Sequence, residues 1–579
     1  MNRLLQRIAD NKSGFALALA AVLLVGAWRA WALAHRPTRW QAIAAETGSV
    51  PQLGQNLLVN HGNTHLVFSQ QMETTLGFYL CDIATRKVDL LSESLPEFYG
   101  WSPDDTRLAF KATIRDAPGL VICDGKTGRR IAELQHPGFE SAKMFAWLSG
   151  SAFAYVAGSS LGVVEQKPDG SWSRPRMVPG VAAARVSCFT GVSATAVAWK
   201  DGNTIQWLEL GSESPVTIWQ SPTNTLQEFV YSPLSSEFLL QCSEGRGQYL
   251  LRYSPRSGRT EATGRIDPAY PGVFRGQSHW RDDSPAFLSW RAGWPEAVYL
   301  SDDGLNTFFF ASNTIPQAGR LDWCGGVTVH TPLNGDHLYI TGQPTNQPPG
   351  VWDYDLATGS LNCLVPGLDH PFKQARYVTP SYGRLTNASG ELRGYSVWEP
   401  AALSPGKKYP LILGQTVNGE LLPYQQMAAN CGWYFALVHR PYWLSKRIAD
   451  WPAEVTRLYE VLASNPNVDT NRVFLWGRSA ETSFQCQLFR EKSPLWKGLI
   501  LFDPGGMPDL ASLSQKKLFI ITGKNGDQAA MLLKFQDQAL AAGIAAKLYL
   551  QENTGHYPPA IRSVRERTEV FARFLVEDL

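Results

Sequence analysis

Seven times between Leu66 and Ile340 the chain sets two side chains two residues apart, the register of one face of a β-strand: Leu66/Phe68, Leu108/Phe110, Phe153/Tyr155, Val197/Trp199, Phe238/Leu240, Phe287/Ser289 and Leu338/Ile340. Successive pairs are 42, 45, 44, 41, 49 and 51 residues apart, a period that points to a propeller or a solenoid. Turn-setting segments rich in Pro, Asp, Asn and Gly precede several pairs: WSPDDT at 101–106, YSPLSS at 231–236 and PLNGD at 332–336. After each pair comes a strand running into a hairpin, as in YLCDIAT (79–85), VICDGKTG (121–128), VEQKPDG (164–170), LRYSPRSG (251–258), YLSDDG (299–304) and WDYDLATG (352–359), with WLELGSES (207–214) filling the remaining period. Two hairpins per period make four strands, the content of one propeller blade. Solenoids of this period are helical and would show a 3.6-residue repeat, which this stretch lacks. The expectation is an all-β seven-bladed β-propeller over residues 56–372, closed by packing of blade on blade rather than by a metal.

Near residue 373 the texture changes. Strand-like PLIL (410–413), WYFALV (433–438), KGLILF (497–502), KLFIIT (517–522) and AKLYL (546–550) alternate with helical stretches near 450–464, 480–492, 528–542 and 562–578. Alternating strands and helices predict a parallel sheet with helices on both faces, and this succession is that of an α/β-hydrolase over 373–579.

Within it, RVFLWGRSAET (472–482) runs from a strand through Gly-x-Ser into a helix. Such an elbow presents Ser479 on a sharp turn at a helix N-terminus, where its Oγ can act as a nucleophile. An α/β-hydrolase orders its triad as Ser, acid, His, and Asp527 follows KLFIIT while His556, in ENTGHYPP, follows AKLYL. Taken singly, Ser479 reads as a helix cap, Asp527 as a turn residue and His556 as a loop residue; their order after the right strands selects the triad. Ser479 would attack an acyl carbon, His556 would take its proton, and Asp527 would fix the imidazole tautomer. The oxyanion needs two donors: the amide of Ala480, and one from GQTVNG (414–419), where Gln415 or Thr416 is best placed. Glu481 stands where the full G-x-S-x-G motif has its second Gly. The expected consequence is an elbow helix set slightly outward, Glu481 reaching solvent or Arg478 or Arg490, and slow turnover.

With 53 Lys and Arg against 51 Asp and Glu, a formal charge of +2 and no dense basic run, nothing in the chain suits nucleic acid. The eight cysteines are scattered, with no CxxC and no Cys/His cluster, so neither zinc nor any other cofactor is expected. Several sit in apolar strand-like runs, where Cys serves as a small hydrophobe, although an even count in an exported chain also permits disulfides. Export itself is read from Arg3, Arg7 and Lys12 ahead of the uncharged apolar run Gly14 to Trp28. Residues 1–35 form a signal anchor or signal peptide, and 36–55 a linker. Ala32-Leu33-Ala34 offers a cleavage site, whereas a snorkelling Arg29 and an interfacial Trp31 would let the helix continue as an uncleaved membrane anchor, the reading preferred. Either way the large domains lie beyond the cytoplasm, periplasmic or otherwise extracytoplasmic if anchored and secreted if cleaved.

The stretches KKYPLIL (407–413), NVDTNRVFLWGRS (467–479), the Asp527 loop and TGHYPP (554–559) resemble, in order and rough spacing, the prolyl oligopeptidase (S9) family of serine peptidases. The resemblance implies a cofactor-independent peptidase whose propeller caps the active site and admits short peptides. The chain departs from the family at GRSAET, at GQTVNG where an HGGP-like loop is usual, and at HRPY (439–442) where Arg-Gly is usual. Two alternatives stand beside the peptidase: an esterase acting on small esters through the same triad, and a catalytically inactive protein presenting both domains to a partner.

Overall fold

The computed structural model describes residues 57–578 apart from internal stretches that include 266–278, 310–322, 366–377, 418–421, 441–450, 526–527 and 556–559. The segments 1–35 and 36–55, read as signal and linker, lie outside the described residues. Among the described residues no helix is long and apolar enough to cross a membrane.

Between Leu58 and Val365 the described chain forms seven antiparallel four-stranded sheets, each built from four consecutive strands. All seven side-chain pairs fall on the second strand of a sheet: His65–Gln71, Arg107–Ile114, Ala152–Ala157, Ala196–Asp201, Glu237–Glu244, Ser284–Arg291 and His337–Pro344. The hairpin segments join third strands to fourth. A second strand is hydrogen-bonded on both sides and covered on both faces, so its alternating side chains bury completely; Leu66, Phe68, Leu108, Phe110, Phe153 and Val197 are each 0% exposed.

The sheets adhere through apolar clusters shared between neighbours. Val67, Phe78 and Leu80 of the first sheet pack on Leu108, Phe110 and Val121 of the second, with Phe78 and Phe110 edge to face at 5.4 Å. Phe229, Phe238 and Leu240 of the fifth sheet pack on Ala198, Ile205 and Trp219 of the fourth. Leu66, Phe68 and Tyr79 of the first sheet share a further cluster with Tyr339, Val351 and Leu364 of the seventh.

The second part of the chain is one mixed sheet of eight strands: β1 (Ser381–Thr386), β2 (Leu392–Trp398), β3 (Tyr409–Val417), β4 (Tyr434–Arg440), β5 (Val468–Arg478), β6 (Gly498–Phe502), β7 (Lys517–Gly523) and β8 (Ala545–Gln551). Their spatial order is β1-β2-β4-β3-β5-β6-β7-β8, antiparallel at β1, β2 and β4 and parallel from there on. β3 to β8 coincide with the apolar runs of the sequence; β1 and β2 were not anticipated. The helices are α1 (Leu422–Asn430), α2 (Trp451–Ala463), α3 (Glu481–Glu491), α4 (Ala529–Ala541) and α5 (Ile561–Arg573). α2, α3 and α4 cover one face through Val455, Leu458, Leu488, Phe489 and Leu532. α1 and α5 cover the other through Tyr424, Met427, Phe571 and Ala572. Because parallel strands point the same way, their C-terminal ends gather along one edge, where ligands bind in open α/β sheets.

Candidate active site

Ser479 follows directly on β5 with φ of +51°, a left-handed conformation that a residue with a Cβ rarely adopts and that costs on the order of 1–3 kcal/mol. Three contacts hold it there. Its amide donates to the carbonyl of Phe502 (3.0 Å), and its carbonyl accepts from the amide of Gly505 (2.9 Å) and the hydroxyl of Thr482 (2.6 Å). The Thr482 hydroxyl in turn accepts from the amides of Gly505 (2.9 Å) and Gly506 (3.0 Å). The elbow is therefore stitched to the turn after β6, and the half-buried Ser479 is raised at the C-terminal edge of the sheet. Ala480 caps α3 with φ −58° and ψ −26°, the residue whose amide was assigned to the oxyanion hole.

Close approach of α3 to the sheet is secured by glycines other than the one missing from the motif. A Cβ on Gly477 would lie 2.9 Å from Cγ of Gln485 and 3.1 Å from Cα of Thr482. On the far side, a Cβ on Gly506 would lie 2.3 Å from Oγ and 2.9 Å from Cα of Ser483. Glu481 is half-buried in the first turn of α3, where a carboxylate is favoured by the helix dipole. The space that sequence reasoning sought at position 481 is supplied by the DPGG segment after β6.

Asp527 and His556 lie outside the described residues, but the segments leading to them are described and joined. The amide of Lys524 donates to the carbonyl of Gln551 (2.8 Å) and that of Asn525 to the carbonyl of Thr554 (3.0 Å), so the chain just after β7 is hydrogen-bonded to the chain just after β8. Gln415, at the C-terminal end of β3, is 1% exposed, and its Nε2 has no hydrogen-bond partner among the described residues. Thr416 pairs in register with His439 of β4. His439 is itself buried, with Nε2 2.8 Å from Oγ of Ser396, and burial pulls its pKa down to about 4. At neutral pH its ring is uncharged.

Sequence reasoning missed a buried polar cluster beside the elbow. Asp503, with φ of +45° and 1% exposed, accepts at Oδ1 from Thr522 (3.0 Å) and at Oδ2 from Arg567 (2.7 Å), with Nε of Arg478 3.9 Å away. The signal was present in α5. Val564, Arg567, Thr568 and Phe571 form one buried stripe, and an arginine on such a stripe demands a partner.

Among the described residues no group of His, Cys, Asp and Glu could hold a metal. Cys81, Cys123, Cys242 and Cys486 are free, and burial pushes their thiols up to about 12, leaving them without nucleophilic character at neutral pH.

No protein-family model and no curated protein matches the chain. Solved structures do match it over nearly its whole length. A Mycobacterium tuberculosis puromycin-hydrolyzing peptidase superposes with a TM-score of 0.68 at 12% identity, covering 92% of this chain and 95% of its own. An acylaminoacyl peptidase in complex with a chloromethyl ketone gives 0.67 at 12% identity, covering 91% and 96%. A prolyl endopeptidase gives 0.66 at 12% identity, covering 95% and 94%. The chain thus has the fold of the S9 serine peptidases, a propeller joined to an α/β-hydrolase domain.

Proposed function

We propose that this protein is a serine hydrolase of the S9 type that cleaves short peptides by acyl transfer through Ser479, His556 and Asp527. The observation that carries the reading is the left-handed φ of Ser479 at a strand-to-helix elbow, a strain that neighbouring contacts sustain and that a mere helix cap does not need. Ser479 attacks the scissile carbonyl, His556 takes its proton and returns it to the leaving amine, Asp527 holds the imidazole, and water releases the acyl group. The amide of Ala480 faces the developing oxyanion, and the unpartnered Nε2 of Gln415 is a ready second donor, with Thr416 the alternative. The seven sheets are the blades of a closed propeller over 56–372, with the catalytic domain at 373–579. The propeller restricts entry to short peptides. The protein is exported and held at the membrane by residues 1–35.

A fluorophosphonate probe, peptide substrates and ester substrates, applied to wild type and Ser479→Ala, test this. Wild type should be labelled and should turn over peptides, and Ser479→Ala should lose labelling and about 10^6-fold in kcat. Turnover of esters alone would make it an esterase, and absence of labelling in the folded wild type would leave a binding protein.

A further inference from the structure

One buried guanidinium, that of Arg567, reaches both the segment before His556 and the turn that holds the Ser479 elbow. Arg567 is 1% exposed. Its Nε donates to Oε1 of Gln551 (2.7 Å), one Nη to Oδ2 of Asp503 (2.7 Å) and the other Nη to the carbonyl of Gly555 (3.1 Å). Gly555 immediately precedes His556. Asp503 follows Phe502, whose carbonyl accepts the amide of Ser479. The loop that leads to the base and the turn that holds the elbow thus meet on a single side chain.

We propose that Arg567, braced by Asp503, is a positioning residue that sets the distance between His556 and Ser479; this rests on the reading of those two as base and nucleophile. Stability alone does not account for the pair, because buried ion pairs exchanged for neutral groups of similar volume are often tolerated. Geometry does account for it. A planar guanidinium holds several acceptors in fixed directions at once, which an ammonium cannot do. The arrangement fixes Gly555 relative to Asp503 without any contact to substrate.

Arg567→Lys is the discriminating variant, since it retains a cation beside Asp503 and gives up the fork that holds Gln551 and Gly555 together. The expected result is a cooperatively folded protein whose kcat falls about 100-fold, as for a misplacement of about 1 Å, with KM within twofold of wild type and the rate of fluorophosphonate labelling falling in step. A folded Arg567→Lys with wild-type kcat and labelling rate overturns the inference. If that variant unfolds, the double variant Asp503→Asn/Arg567→Gln, which removes both charges of the pair together, decides it: the same loss of kcat supports positioning, and wild-type kcat overturns it. Ser479→Ala run in parallel separates the two readings. Its retention of turnover would sink the triad itself, whereas its silence beside a fully active Arg567 variant would sink only the positioning role.

Discussion

The two parts of this molecule bury different things. Among the described residues, the seven sheets enclose aromatic and aliphatic side chains, and the one buried Lys or Arg there, Lys111, reaches out to the exposed Glu97. The eight-stranded sheet encloses Arg393 with Glu454, Arg567 with Asp503, Arg478 beside them, and the uncharged ring of His439. Apolar packing is non-directional, so a repeated sheet needs only the right volumes to find its neighbour. A site that must aim an oxygen at a carbon needs directional bonds, and bonds of that kind bring buried charge with them. Shape specifies the first region and orientation the second.

That contrast can be broken by measurement. The largest effect is expected for Phe110→Ala, which empties a fully buried position between the first and second sheets and should cost about 3–5 kcal/mol in denaturant unfolding. Turnover per folded molecule should stay at the wild-type value. A parallel drop in kcat would show that packing among the sheets governs the site.

The next effect is one of pH. Burial lowers the pKa of His439 from 6.5 to about 4, so the unfolded chain takes up a proton that the folded chain refuses. This contribution to stability is complete above pH 6.5 and falls, by up to about 1.4 kcal/mol per pH unit, as the pH drops towards 4. Urea midpoints across that window should converge between wild type and His439→Gln as the pH falls. A constant gap between the two would assign the acid sensitivity elsewhere.

The smallest of the three concerns Gly506→Ala. The added Cβ meets Cα and Oγ of Ser483, so α3 and the elbow must shift by a few tenths of an ångström. kcat should fall about 10-fold to 100-fold, with about 1–3 kcal/mol lost in unfolding free energy because the clash includes backbone. Unchanged kcat would mean that the elbow tolerates displacement and that its bonds are less exacting than the contrast implies.

What could be read from sequence follows the same division. The second strands of the sheets were legible because both of their faces are buried, so large apolar side chains recur two apart with buried residues between them, as Ala109 lies between Leu108 and Phe110. First strands such as Tyr99–Trp101 and His279–Arg281 are too short to carry a period. Within the site the elbow was legible because its residues adjoin in sequence. Asp503 and Arg567 stand 64 residues apart, and no local pattern states that one answers the other. Nothing local in DPGG marks it out from an ordinary turn, although its Asp anchors Arg567 and its glycines admit α3. β1 and β2 were missed because antiparallel strands at a sheet edge lack the continuous apolar run of the central parallel strands.

The turn between the second and third strands of the first sheet meets the start of α5. The amides of Ile561 and Arg562 at the start of α5, a helix end with no side-chain cap, donate to the carbonyls of Met72 (3.0 Å) and Glu73 (3.1 Å), and Arg565 grips Glu73 across 492 residues of sequence. During synthesis the acceptors emerge long before the donors exist. Contacts of such separation form late, after the entropy of closing the intervening chain has been met. The helix that carries Arg567 receives its finished N-terminus only when residues 492 positions apart have met, so the docking of α5 on the first sheet, more than the folding of either half, is the event that readies the proposed site.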